Sequence, residues 1–154
     1  MRAKDLVSSS QFYPLRLLPG TELIAELRQF VAIHHIKAGW IASVVGSLST
    51  VSLRYAGCER TSLIEGKFEV IALGGTLDSQ FEHLHMSVAD ETGRMFGGHV
   101  MPGNHVMPGN IVRTTLELII GELCDVDFSR QHCILSGYEE LAIAPRNDLK
   151  DENK

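Results

Sequence analysis

Alternation in the segment His83-Leu84-His85-Met86-Ser87-Val88-Ala89, followed at once by Asp90-Glu91-Thr92-Gly93, constrains this chain more than any other stretch. In an extended strand, period two sends Leu84, Met86 and Val88 to one face and His83, His85 and Ser87 to the other. Gly93 stands where a three-residue hairpin loop needs a left-handed residue, after a type I turn opened by Asp90. That register pairs Asp90 with Arg94 and, counted back, His85 with His99. Directly opposed residues lie about 5 Å apart on one face, and the diagonal neighbour His83 lies about 7 to 8 Å away. A two-residue loop would want glycine at position 92, which is threonine, and would turn His99 to the opposite face. Gly97 and Gly98, just before His99, remove side chains that would crowd a site there, although they weaken the strand.

Three imidazoles on one face form a donor set for one divalent metal ion per chain, with His83, His85 and His99 as ligands. Neutral imidazole nitrogens favour zinc, and nickel, copper and iron are chemically compatible. Three protein ligands leave a position for water or a substrate atom, so metal-dependent hydrolysis is conceivable. Glu69, Glu82 and Glu117 have the chemistry of a general base, but spacing places none of them, and catalysis stays open. The bland alternative is three half-exposed sheet histidines with no ligand. An immediate tandem repeat, His99 to Asn104 (HVMPGN) followed by His105 to Asn110 (HVMPGN), makes His105 the alternative to His99. The break at Pro102-Gly103 separates His105 from the strand and favours His99. Two Pro-Gly turns six residues apart read as a doubled surface loop.

The rest of the chain supplies a scaffold of one domain, since 154 residues with 44% hydrophobic content suffice for one core. Phe12 to Leu18 reads as a strand closed by Pro19-Gly20. A helix follows, capped by Thr21 with Glu22 in its first turn, bearing Leu23, Ile24, Leu27, Phe30 and Val31 on one side and stopping at Gly39. His34 and His35 fall in its last turn as structural residues. Trp40 to Val45 and Leu48 to Tyr55 read as two strands bent at Gly46-Ser47, and Phe68 to Leu73 as another, with Gly74-Gly75 permitting a bulge or a close backbone approach. His83 to Ala89, Arg94 to Val100 and Ile111 to Glu122 complete an α+β chain, Thr114 to Leu123 having a helical alternative. The expected domain spans 12–144, with 1–11 and 145–154 as flexible termini.

The formal charge of −5, with lysine and arginine scattered, argues against autonomous nucleic-acid binding. Three widely spaced cysteines, Cys58, Cys124 and Cys133, form neither a disulfide framework nor a cysteine zinc site and fit a reducing compartment. The first ten residues lack a secretory apolar stretch, and no run reaches the roughly 18 residues of a membrane span. A cytoplasmic protein is expected, with a nuclear location also compatible and no membrane association.

The segments LRLLPGTEL, GWIASVVGSLSTVSLRY, GKFEVIALGGTL, HLHMSVADETGRMFGGHVMPGN and IVRTTLELIIGEL, taken in order, resemble the PPC ("plants and prokaryotes conserved") domain family from about Tyr13 to Tyr138. The resemblance implies a strongly bent antiparallel sheet with one main N-terminal helix, and a homotrimer whose subunits share strand edges. It implies metal ligands from the HLH and GGH motifs, matched here by His83, His85 and His99. Plant members lack those histidines and carry AT-hook segments for DNA; no Arg-Gly-Arg-Pro stretch exists here, so the DNA role does not carry over. The extra HVMPGN copy departs from the family pattern. Two functions follow: a small-ligand-binding protein or metal-dependent enzyme, or a non-enzymatic oligomeric scaffold that reaches chromatin only through partners.

Overall fold

A computed structural model describes residues 6–146. The expected flexibility of residues 1–5 and 147–154 lies outside the described residues. Strand β1 (Ser10–Leu17) leads into helix α1 (Leu23–Ile33). The long strands β2 (Gly39–Arg54) and β3 (Ser62–Leu77) follow, then the hairpin β4 (Glu82–Ala89) and β5 (Met95–Val100), and β6 (Ile111–Leu123). A second hairpin, β7 (Val126–His132) and β8 (Glu139–Pro145), ends the described chain. The main sheet is antiparallel in the order β1-β6-β2-β3-β4-β5. Strand β5 also pairs with the end of β2, Leu53 with Val100 and Arg54 with His99, so the sheet bends round on itself. The mixed α+β class holds, though one helix serves a mostly β protein. No helix among the described residues is long and apolar enough to cross a membrane.

Helix α1 buries Leu23, Ile24, Leu27 and Val31 against Leu48, Val51, Leu53, Leu84, Val88, Leu116 and Ile120 of the sheet. Its ends differ from expectation. Glu22, not Thr21, caps the N-terminus: its carboxylate accepts from the Ala25 amide at 2.7 Å, while the Thr21 hydroxyl turns back to the Leu18 carbonyl. The helix stops well before Gly39, because His35 takes a left-handed conformation (φ 53°). The amides of His35 and Ile36 then donate to the carbonyls of Ala32 and Val31, and Ile36 is fully buried, the hydrophobic contact that accompanies this kind of helix ending. His34 and His35 therefore lie just past the helix.

Trp40 to Tyr55 is one strand through Arg54 rather than two, because register shifts at Ile41/Ser43, Gly46/Leu48 and Leu48/Thr50 bend it without breaking the ladder. Gly46 (φ 144°) allows this, since a Cβ there would strike the Thr115 carbonyl. Thr114 to Leu123 is strand, paired on both sides by β1 and β2, which overrides its helical propensity. Strand β3 begins earlier than expected, at Ser62.

Order extends past the expected 12–144 limits. The Ser9 amide and hydroxyl donate to Asp125, and Arg146 binds Glu122 (3.0 Å) and Asp127 (2.8 Å). Glu122 is 2% exposed and also receives the Gln11 side chain and the Lys37 amide. This buried carboxylate ties β1, the helix exit and the second hairpin together.

Candidate metal centre

In β4, Leu84, Met86 and Val88 are buried, His83 is half-buried and His85 is exposed, the division that period two requires. The turn after it has the expected form: the Asp90 amide donates to Arg94 (3.0 Å), the Gly93 amide to Asp90 (2.9 Å), and Gly93 is left-handed at φ 78°. Asp90 Oδ1 also accepts from the Thr92 and Arg94 amides and fixes the loop. His85 consequently pairs with His99.

Ring centroids stand 5.2 Å apart for His83 and His85, 5.1 Å for His83 and His99, and 5.5 Å for His85 and His99. One nitrogen from each ring lies within 4.8 Å of the others. Tetrahedral zinc, with Zn–N near 2.0–2.1 Å, asks for nitrogens about 3.3 Å apart. The 4.8 Å limit exceeds that by about 1.5 Å, a distance that rotation about the side-chain torsions would have to supply.

Burial, then the neighbouring His83, Arg54 and His85, push His99 down to about 4. Burial, His85 and Arg130 likewise lower His83. Both rings are neutral at physiological pH and present lone pairs, the state a metal ligand needs. The donor set fits a borderline transition metal: three imidazoles, with no acidic residue among the grouped donors.

Glycine shapes the site through the close approach expected at Gly74-Gly75, whereas Gly97 and Gly98 serve strand contacts and not room for the rings. A Cβ on Gly98 would meet the Arg54 carbonyl at 2.7 Å, so that residue serves the close approach of β5 to β2. One on Gly97 would press on Met86 and Ser87 of β4. The glycine that leaves room beside the rings is Gly74, paired with His85 and open to space, while Gly75 (φ 138°) runs hard against the His83 carbonyl.

His105 lies in the exposed loop and is outside the group. None of the three glutamates joins the histidines. Glu82 is ion-paired with Arg28 at 2.6 Å, Glu69 sits opposite Ala89 at the far end of β4, and Glu117 faces Arg16 and Val45 in the β1-β6-β2 part of the sheet. Sequence reasoning missed the second hairpin. It brings Arg130, Glu140 and Leu141 to an open cleft of about 530 Å³, walled otherwise by Gly74, Gly75, Thr76, His83 and His85. The alternation of Val126, Phe128 and Arg130, and of Leu141 and Ile143, was a signal that could have found it.

The model of the Plants and Prokaryotes Conserved (PCC) domain matches residues 5–124. The chain is 41% identical over 135 residues to the bifunctional protein GlmU of Synechococcus sp. (strain JA-3-3Ab), covering 88% of itself but only 21% of that protein. It thus spans about a fifth of the length of this curated relative. A hypothetical protein from Salmonella cholerae-suis superposes with a TM-score of 0.87 at 52% identity, over 92% of this chain and 98% of the other. A protein from Archaeoglobus fulgidus described as metal-containing superposes with a TM-score of 0.74 at 19% identity, over 92% and 99% of the two chains. At that identity the likeness is one of fold.

Proposed function

The chain belongs to the Plants and Prokaryotes Conserved domain family, and we propose that within it this protein binds one divalent metal ion, zinc, through His83, His85 and His99. The observation that carries the reading is the convergence of three imidazoles from two paired strands, two of them held neutral by their surroundings. The metal-containing archaeal relative of the same fold supports it. An ion with three protein donors keeps a position for a further ligand, and here the His83 and His85 rings line a cleft large enough for a small molecule. We read the protein as a small-ligand receptor at a metal, in which a bound ion would supply Lewis acidity to whatever the cleft holds.

The functional unit we infer is a homotrimer. Support comes from the tip of the β7-β8 hairpin, where Ile134 (91%), Leu135 (98%) and Tyr138 (68%) lie exposed on a single chain. That same tip favours the second reading, a scaffold that docks other proteins while the metal only stiffens the sheet. Three free cysteines support a reducing compartment, and the net charge of −5 supports DNA contact only through partners.

Elemental mass spectrometry on protein purified without a metal column tests the reading, beside a His83→Ala/His85→Ala variant. Near-stoichiometric zinc in the parent and none in the variant is expected. Empty parent protein after divalent ions are offered refutes it and leaves the scaffold.

A further inference from the structure

Arg130 comes from the hairpin that follows the matched residues 5–124, yet it forms part of the wall beside His83. Its side chain is only 9% exposed. Nε donates to Asp78 at 3.3 Å and Nη2 to the Thr76 hydroxyl at 2.8 Å. Asp78, 3% exposed at its side chain, is itself held by the amides of Gln80 and Phe81, so the guanidinium is fixed in place. Among the described residues nothing accepts from Nη1 or from the second proton of Nη2. A guanidinium carries five donors, and the three that no protein group takes up are not sealed in the interior, where Ser52 Oγ alone lacks a partner among the described residues, but stand on the wall of the open cleft, free for a ligand. Thr76, paired across the strands with His83, accepts from Arg130 and has its own proton left to give.

We propose that the cleft is a receptor for a small organic acid, whose carboxylate Arg130 anchors with help from Thr76 at the edge of the histidine triad. The inference rests on the metal reading, because the anchored group lies beside the open side of the ion site. Arg130's planar fork matches a carboxylate or a phosphate. Two wall features favour the carboxylate. Glu140 lines the same cleft and disfavours a doubly charged anion, and Leu141 with the Gly74-Gly75 backbone offers an apolar surface to an aliphatic chain.

The test titrates sodium acetate, and separately inorganic phosphate, into the full chain loaded with cobalt(II), and follows the visible spectrum of the ion. Acetate should perturb the spectrum saturably and more tightly than phosphate. Arg130→Gln should weaken acetate about tenfold or more, the scale of a lost charge-assisted hydrogen bond. Glu140→Gln should tighten it a few-fold. If circular dichroism shows that Arg130→Gln has lost the fold, Arg130→Lys carries the test with the same expected weakening, since it keeps the charge beside Asp78 and loses the fork. Cobalt bound with acetate affinity unchanged by these variants overturns the Arg130 anchor alone. Phosphate binding ahead of acetate overturns the carboxylate. Failure of cobalt to bind at all sinks the metal reading and this one with it.

Discussion

Adjacent glycines in β3 should respond in opposite ways to the same added methyl group. Gly75 sits at φ 138°, where a Cβ would collide with the carbonyl of His83 on the neighbouring strand. Holding alanine in that backbone region costs about 1–3 kcal/mol, and forcing the strand pair apart adds about 1–3 kcal/mol. The sum, about 2–6 kcal/mol, is a large share of the 5–15 kcal/mol that typically holds a domain together. Gly74 has ordinary backbone and nothing within 4 Å of a built Cβ. Gly74→Ala should therefore be neutral or stabilising by about 0.4–1 kcal/mol, through the unfolded chain. Urea denaturation followed by circular dichroism, with the m-value checked for constancy, measures both. The metal readout should separate them further. Gly75→Ala displaces His83 and weakens cobalt binding, whereas Gly74→Ala leaves the triad in place and narrows the cleft beside His85. If the two variants unfold within about 1 kcal/mol of one another, below the smallest gap of about 2 kcal/mol that these contacts require, then Gly75 does not lie against His83 as described, and the β3-β4 register fails with it.

Three further outcomes are expected. His105→Ala should retain metal in full and His99→Ala should lose it, read as ions per chain, because only His99 stands across from His85. With His99 pushed down to about 4 and His83 lowered, protons compete weakly for these two rings, so zinc content, read as ions per chain against pH, should not fall through protonation of either one above the ordinary histidine value of 6.5. The same shift makes the metal-free protein less stable as pH falls from 6.5 towards 4, where the unfolded chain takes up protons that the folded chain refuses, and His99→Ala should flatten that decline in denaturant midpoint. Burial would raise Glu122, but hydrogen bonds from Gln11, the Lys37 amide and Arg146 outweigh it and hold the carboxyl below its ordinary 4.5. Its contribution is complete above that value and is lost as pH drops through the depressed one. Glu122→Gln should accordingly cost about 3–5 kcal/mol near neutrality and show a shallower acid transition, measured by thermal melting between pH 3 and 7.

The histidine triad was legible because every step to it was local. Alternation over His83 to Ala89 set the faces, Gly93 set the loop, and a loop of known length converts sequence separation directly into register. The helix ends were misplaced for an equally local reason. Thr21 and Gly39 are strong signals in isolation, but Glu22 accepts both the Ala25 amide and the amide of distant Asn110, and burial of Ile36 pulls His35 into a left-handed turn. The continuity of β2 depended on partners more than sixty residues away, and no periodicity within the strand announces them.

The wall of the site was illegible in a deeper sense. Arg130 reaches His83 only because Glu122, Asp127 and Arg146 bind the base of the second hairpin to the sheet while Asp78 receives the guanidinium, contacts that join residues 19 to 52 apart. The floor of three histidines thus lies within residues 5–124, which match the family, and Arg130, Glu140 and Leu141 come from the hairpin beyond them. On the reading proposed above, metal and ligand would consequently be set by separable parts of the chain. A relative could keep the HLH and GGH motifs, hold the same ion, and accept a different molecule by changing a hairpin that is tied to the fold through Glu122, the Arg130–Asp78 pair, the Phe128 amide on the Lys37 carbonyl and buried Val126.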